Sequence, residues 1–380
     1  MRVLMFGWEF PPAKTGGLGT HCYELVKNLG SKGVGVLLFV PKRSENVKNN
    51  LENVEIVEVG FDLSNPYARP DSAASEKSYG WNFFDEVETF NNECAATALD
   101  KDFDIIHCHD WMTIPAGIEL KKKTGSPLIF TVHSTEYDRS ISIHPCTNII
   151  NTEKKGIDEA DRIITVSRNM KTQLLERYNA IEGKISVIYN GIDDSKFPGI
   201  TEKSNRKLVL FLGRLTSQKG PSFFLRTAER VLRKEPDVLF VVGGQGEKLP
   251  ELIREATDLG IMDHVLFTGY LREKELVRAY EMADVYVMPS VAEPFGISAL
   301  EAIASGTPSI VSKKAGVAER IRNCFKVDYW DTLEMANKII SVLRYDVLRD
   351  CMRRNALEEL KDLSWSRVAE ETIEVYGRAL

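Results

Sequence analysis

Short runs of apolar, often β-branched residues recur along the chain, and stretches with helical spacing separate them. In the first half the runs are Val3–Phe6, Val34–Val40, Val54–Val59, Asp104–His107, Leu128–Val132, Arg162–Val166 and Ile185–Ile188. Each is bounded by polar or glycine-rich turns, the pattern of a strand. Strands alternating with helices predict parallel sheets covered by helices on both faces. The alternation breaks between Asn190 and Lys207, where Asn190-Gly191, Pro198-Gly199 and a polar run through Asn205 signal turns and a linker. It then restarts with Leu208–Leu212, Val238–Val242, Val265–Phe267, Val285–Met288 and Ser309–Val311. The prediction is an α/β protein of two doubly wound, Rossmann-like domains, residues 1–195 and 196–363, joined near residue 195. Ligands of such sheets bind beyond the carboxyl ends of the strands, so two facing domains would enclose a cleft. A final helix over residues 364–380 is predicted from Ser364 as N-cap and the apolar positions Trp365, Val368, Ile373 and Tyr376. The pattern leaves its packing partner open.

A length of 380 residues fits two domains. The formal net charge of −6 argues against nucleic acid as the main partner. No apolar run approaches the roughly 18 residues of a membrane span. The stretch from Val3 to Trp8 meets Glu9, too short for a signal-peptide core. Six scattered cysteines with no CxxC pair read as reduced thiols in a cytoplasmic protein.

Six segments at strand ends carry candidate chemistry. Lys14-Thr15-Gly16-Gly17-Leu18-Gly19 follows the first strand and opens a helix, where glycines let the backbone approach an anion. It is neither a Walker loop nor a dinucleotide fingerprint. A turn needing positive φ explains it equally well. His107-Cys108-His109-Asp110-Trp111 suggests a polar-substrate contact through His109 and Asp110, against a purely structural strand end. A metal reading is weaker, because no third ligand stands at a recognisable spacing. His133 closes the next strand and its polar surroundings favour a role in a site. Gly213-Arg214 through Lys219-Gly220 offers two cations that could neutralise a pyrophosphate leaving group. Val242-Gly243-Gly244 predicts a tight turn with close ligand approach.

The strongest segment runs from Glu293 through Pro294, Phe295, Gly296 and Ile297 to Glu301. Pro294 and Gly296 keep its start out of a helix, and a helix is predicted from about Ile297 to Ala304, ended by Gly306 and Pro308. The N–H groups near Phe295 to Ser298 are then free to meet a ligand. One of the two carboxylates, Glu293 or Glu301, could reach a sugar while the other accepts hydrogen bonds from ribose hydroxyls.

Together these residues resemble the retaining glycosyltransferases of the GT-B fold. Glu293 and Glu301, with seven residues between them, match that family's paired-glutamate motif. Lys14 to Leu18 resembles the loop of glycogen and starch synthases, Arg214 to Gly220 their cationic segment, and Asn190 to Asp193 their junction turn. The resemblance implies a nucleotide-sugar donor, ADP- or UDP-glucose, and a carbohydrate acceptor. It implies that Arg214 and Lys219 stabilise the leaving diphosphate, that Glu293 contacts the transferred hexose, and that His133 lines the reaction centre. Phe295, Gly296 and Ile297 would hold the sugar through backbone groups, and Glu301 the ribose. Lys14, Gly16, Gly17, Gly213 and Gly244 would flank the donor, and Asp110 would meet the acceptor. The family uses no metal and no cofactor, and its last helix crosses back to the first domain. The family also implies an acceptor domain in residues 1–195 and a donor domain in 196–363.

Ala315-Gly316 stands where many members have two glycines, a tolerable exchange. His133 to Ser140 lacks the His-Asn-x-x-Tyr pattern of bacterial glycogen synthases, and the chain is shorter than those enzymes; these two departures widen the acceptor range. The acceptor is an α-glucan, another sugar or a lipid. A nucleotide-sugar epimerase and a non-catalytic sugar-nucleotide binder are the competing classes. Oligomeric state is not legible, and the basic run Lys121-Lys122-Lys123 is either a helix end or a membrane contact.

Overall fold

A computed structural model describes residues 1–12, 16–43, 47, 50–60, 83–141, 144–197 and 206–380. Lys14 and Pro198 to Asn205, part of the expected linker, lie outside the described residues. The first sheet comprises β1 (Arg2–Phe6), β2 (Gly35–Pro41), β3 (Val54–Val59), β4 (Ile105–His109), β5 (Leu128–Val132), β6 (Arg162–Thr165) and β7 (Ile185–Val187). The second comprises β8 (Leu208–Leu212), β9 (Leu239–Gly243), β10 (Val265–Gly269), β11 (Val285–Met288), β12 (Ser309–Ser312) and β13 (Phe325–Val327). Their orders are β3-β2-β1-β4-β5-β6-β7 and β10-β9-β8-β11-β12-β13. Every neighbouring pair is parallel. Strand order reverses beside β1 and β4 in one sheet, and beside β8 and β11 in the other. Those switch points are where parallel sheets open a crevice.

The central strands are buried on both faces, which is why they read as unbroken apolar runs. Two differences from the predicted elements matter. β13 escaped notice because three residues, Phe325-Lys326-Val327, are too few to show a period. β4 continues through His109, two residues beyond the predicted end. His107 and His109 therefore both lie in the sheet, on the same face.

The last helix, Trp365–Gly377, begins as predicted, with the Ser364 hydroxyl accepting from the Arg367 N–H at 3.3 Å. It packs on the helix Gly17–Ser31 beside the first sheet. The chain reaches it through a close backbone crossing, where the Ile192 N–H donates to the Leu363 carbonyl at 2.8 Å. Only glycine fits at the crossing, because a Cβ on Gly191 would lie 2.5 Å from the Trp365 nitrogen. Tyr376 is buried and its hydroxyl lies 2.7 Å from His107 Nδ1.

Glu319, beyond β12, reaches the other sheet. Its carboxylate accepts from the Arg168 and Asn169 N–H groups at 2.8 and 2.9 Å and from the Tyr189 hydroxyl at 2.9 Å. Those N–H groups open the helix Arg168–Tyr178 and have no partner within it. The basic run is occupied locally. Lys121 pairs with Asp161, Lys122 with Glu159 and Lys123 with Glu119, at the end of the helix Ile114–Thr124. Among the described residues no helix is long and apolar enough to cross one.

Two outcomes follow from this packing. Glu319→Ala removes three hydrogen bonds and is expected to cost about 1–3 kcal/mol, read as a lower urea midpoint. His107 donates and accepts inside the core, where its second nitrogen meets Thr131 at 2.7 Å, and burial pushes its pKa down to about 3. The native ring stays neutral while the unfolded one takes a proton below about 6.5. Stability is therefore present above that pH and is lost as pH falls from about 6.5 toward 3, by up to about 1.4 kcal/mol per pH unit for this group. Urea midpoints measured across that window should fall with acidification, and His107→Gln should flatten the slope.

Candidate active-site cleft

The two sets of strand ends face each other across a cleft of about 1340 Å³. Ligand pockets usually measure about 300–1,000 Å³, so this one has room for two substrates.

The second sheet supplies one wall. After β11 the chain turns through Pro294 to Gly296, whose φ of +106° favours glycine, and starts the helix Ile297–Ala304 where the sequence placed it. The turn is pinned from behind. The Gly316 N–H donates to the Glu293 carbonyl at 3.0 Å, and the Val317 N–H to the Phe295 carbonyl at 2.7 Å. The helix presents unpaired N–H groups and the positive end of its dipole to the cleft. The Glu293 carboxylate is nearly buried. One of its oxygens accepts from Lys219 Nζ at 2.6 Å and from the Ser290 hydroxyl at 3.1 Å. Glu301 accepts from the Tyr280 hydroxyl at 2.9 Å. Arg214 follows β8 and its Nη2 lies 3.5 Å from Gln218 Oε1. Gly213 and Gly244 touch: a Cβ on Gly244, at φ +129°, would lie 1.9 Å from the Gly213 carbonyl oxygen.

The first sheet supplies the facing wall. Gly16 and Gly17 stand at the start of the helix Gly17–Ser31. A Cβ on Gly17 would lie 3.6 Å from Ile297 Cδ1, so the two glycine-led helix starts meet across the cleft. Asp110 follows β4 with φ +60°, a conformation aspartate tolerates better than most residues. Its carboxylate accepts from the His133 N–H at 2.7 Å. Burial pushes its pKa up to about 7, against the pull of Arg139. Asp110 and His133 line the cleft.

His109 is corrected by the structure. It is fully buried and does not line the cleft, because β4 carries it into the sheet. It stands behind His133, with its Nδ1 3.0 Å from His133 Nε2. The remaining sequence-predicted residues, Gly16, Gly17, Gly213, Arg214, Lys219, Gly244, Glu293, Phe295, Gly296, Ile297 and Glu301, all line the cleft.

Sequence reasoning missed Ser290 and Tyr280, which hold the two glutamates. It also missed His21, whose Nδ1 lies 2.7 Å from Asn190 Oδ1 and whose ring centroid lies 4.4 Å from that of His133. His21 stands four residues after Gly17 and so shares a helix face with it, a spacing that could have exposed it. With His107 and His109 these rings form a cluster of four. Burial holds all four pKa values down, to about 4 for His21 and about 3 for His107, and well below the ordinary value for His109 and His133.

Two family profiles divide the chain. That of "Glycosyltransferase Family 4" matches residues 15–196, and that of "Glycosyl transferases group 1" matches residues 193–359. An uncharacterized glycosyltransferase of Methanocaldococcus jannaschii is 32% identical, over 100% of this chain and 99% of its own. A glycogen synthase of Mycobacterium tuberculosis is 28% identical, over 99% of this chain and 94% of its own. Among solved structures, sucrose-phosphate synthase of Thermosynechococcus elongatus superposes with a TM-score of 0.82 at 20% identity, covering 99% and 98% of the two chains. An Anabaena protein solved with UDP and glucose superposes with a TM-score of 0.77 at 17% identity, covering all of both chains. Two facing parallel sheets, a cleft at their switch points and likeness along the whole chain place this protein in one family: it is a glycosyltransferase of the GT-B fold.

Proposed function

We propose that the protein transfers a hexose, with retention of configuration, from a nucleoside-diphosphate sugar to a carbohydrate acceptor. The observation that carries this reading is the Lys219–Glu293 ion pair at the free N-terminus of the helix Ile297–Ala304. A cation, a carboxylate and unpaired N–H groups within one turn suit a diphosphate joined to a sugar. Lys219 and Arg214 receive the charge that develops on the departing diphosphate, the role a divalent ion plays elsewhere. Lys219 then exchanges part of its bond to Glu293 for phosphate oxygen, and Glu293 is released toward the sugar hydroxyls. Glu301, oriented by Tyr280, accepts hydrogen bonds from the ribose. Gly16 and Gly17 close over the donor from the opposite wall, and His133 borders the transferred ring. Asp110 meets the acceptor side.

Glucose is the proposed sugar, and UDP or ADP the carrier. The relatives named as glycogen synthase and sucrose-phosphate synthase support a sugar acceptor, and the neighbour solved with UDP and glucose supports the donor class. Residues 1–195 with the last helix would bind the acceptor, and residues 196–363 the donor.

The test is a panel of UDP-, ADP- and GDP-glucose, each incubated with and without glucan and small-sugar acceptors. Release of nucleoside diphosphate that depends on acceptor, with an α-linked product by NMR, is the expected result. Conversion of donor in the absence of acceptor, as by an epimerase, would overturn it. Arg214→Ala should lower kcat by roughly 10²–10³-fold, the loss seen when one transition-state charge partner is removed. Glu301→Gln should instead act mainly on the donor KM, because its contact is present before and during the chemistry.

A further inference from the structure

Six histidines occur in the chain, and four of them lie together at the floor of the cleft. The transferase reading uses only His133. His107 is fully engaged, with Tyr376 on one nitrogen and Thr131 on the other. The other three are not. His21, His109 and His133 each offer one ring nitrogen, and these atoms lie within 4.8 Å of one another.

We infer that His21, His109 and His133 form a binding site for a borderline divalent cation of the zinc class, open to the cleft at His133. Three observations carry this. The three side chains come from separate elements, the helix Gly17–Ser31, the end of β4 and the end of β5, so the fold converges them. His21 is oriented by Asn190, whose Oδ1 lies 2.7 Å from His21 Nδ1. With that N–H donated, its other nitrogen carries a lone pair, the outer arrangement that metal-bound imidazoles use. His109 Nδ1 lies 3.0 Å from His133 Nε2, so these two nitrogens face the same space.

The spacing is close to what an ion needs. Tetrahedral ligands at a metal–nitrogen distance of about 2.1 Å stand about 3.4 Å apart. The His109–His133 contact of 3.0 Å is near that value. The widest separation, 4.8 Å at most, must close by about 1 Å. Three neutral nitrogens leave a fourth position for water or a cleft ligand. Because His133 borders the cleft, an ion there competes with the transferred sugar for the same side chain. By linkage, donor and metal then weaken each other's binding by the same factor.

The experiment strips the full-length chain with a chelator, removes the chelator, and titrates ZnCl₂ by calorimetry with metal analysis after dialysis. One equivalent of zinc per chain is expected. His21→Gln and His109→Gln should each weaken it at least tenfold, while His264→Gln, outside the cluster, should leave it unchanged. Uptake that survives both cluster substitutions, or no uptake at all, would overturn the site. Circular dichroism of each variant reports folding. Should either variant misfold, Co²⁺ added to the wild-type chain decides: visible bands of a four-coordinate nitrogen site support the inference, and the spectrum of the hydrated ion sinks it. Zinc uptake is read without any sugar nucleotide, so its failure leaves the transferase reading untouched, and the reverse holds too.

Discussion

The architecture depends on one backbone crossing. Gly191 and Ser364 touch closely enough that a single Cβ would separate them. The chain leaves the first sheet there, builds the second, and returns to the same point before the last helix. Two sheets joined by one linker would be free to rotate, as most domains within a chain are. Two strands of chain crossing at one place, followed by a helix whose Trp365 and Tyr376 are buried, confine that rotation to a hinge. Every distance across the cleft follows from it, including the approach of Gly17 to Ile297. Glu319 adds a second tie on the other side, where it binds the start of a helix belonging to the first sheet.

Within the cleft the charges are arranged before any ligand arrives. Glu293 is buried enough that an isolated carboxylate there would be costly, and Lys219 offsets the cost. Removing one partner of a buried pair typically leaves a penalty of about 3–5 kcal/mol. In the proposed reaction a diphosphate would draw Lys219 while the sugar's hydroxyls replace it at Glu293. On that reading the pair would couple recognition of the phosphate to recognition of the sugar. Ser290 and the backbone contacts of Gly316 and Val317 keep the carboxylate in place during the exchange.

Much of this was legible in the sequence because parallel strands buried on both faces leave long apolar runs, and turns leave glycines. The helix Ile297–Ala304 could be bounded to the residue, since Pro294, Gly296, Gly306 and Pro308 each act through local backbone restriction. The strand β13 was not legible: its three residues depend on β12 beside them for their conformation. His109 was misplaced because strand length is set by pairing. β4 runs on beside β5 to the His109–Thr131 register, which no pattern within β4 announces. The spacing of His21 from Gly17 could place it on the cleft side of its helix, but its meeting with the other imidazoles was not legible, for a similar reason. His21 and His109 are far apart along the chain and meet only because β1 and β4 are neighbours at the switch point.

The two walls are built from different materials. The wall from the second sheet relies on backbone: Gly244 and Gly296 held at positive φ, a free helix start, and a Gly213–Gly244 contact that admits no side chain. Such a surface changes little when surrounding side chains change, since its shape is set by chain geometry. The facing wall relies on side chains: Asp110, His133 and the histidines behind it, in a polar network whose members orient one another. Substituting one of them alters the partners of the next. If the proposed reaction holds, that asymmetry would put donor recognition on the backbone-built wall with the paired glutamates and leave the acceptor to be read from the side-chain wall, residues 133–140 included.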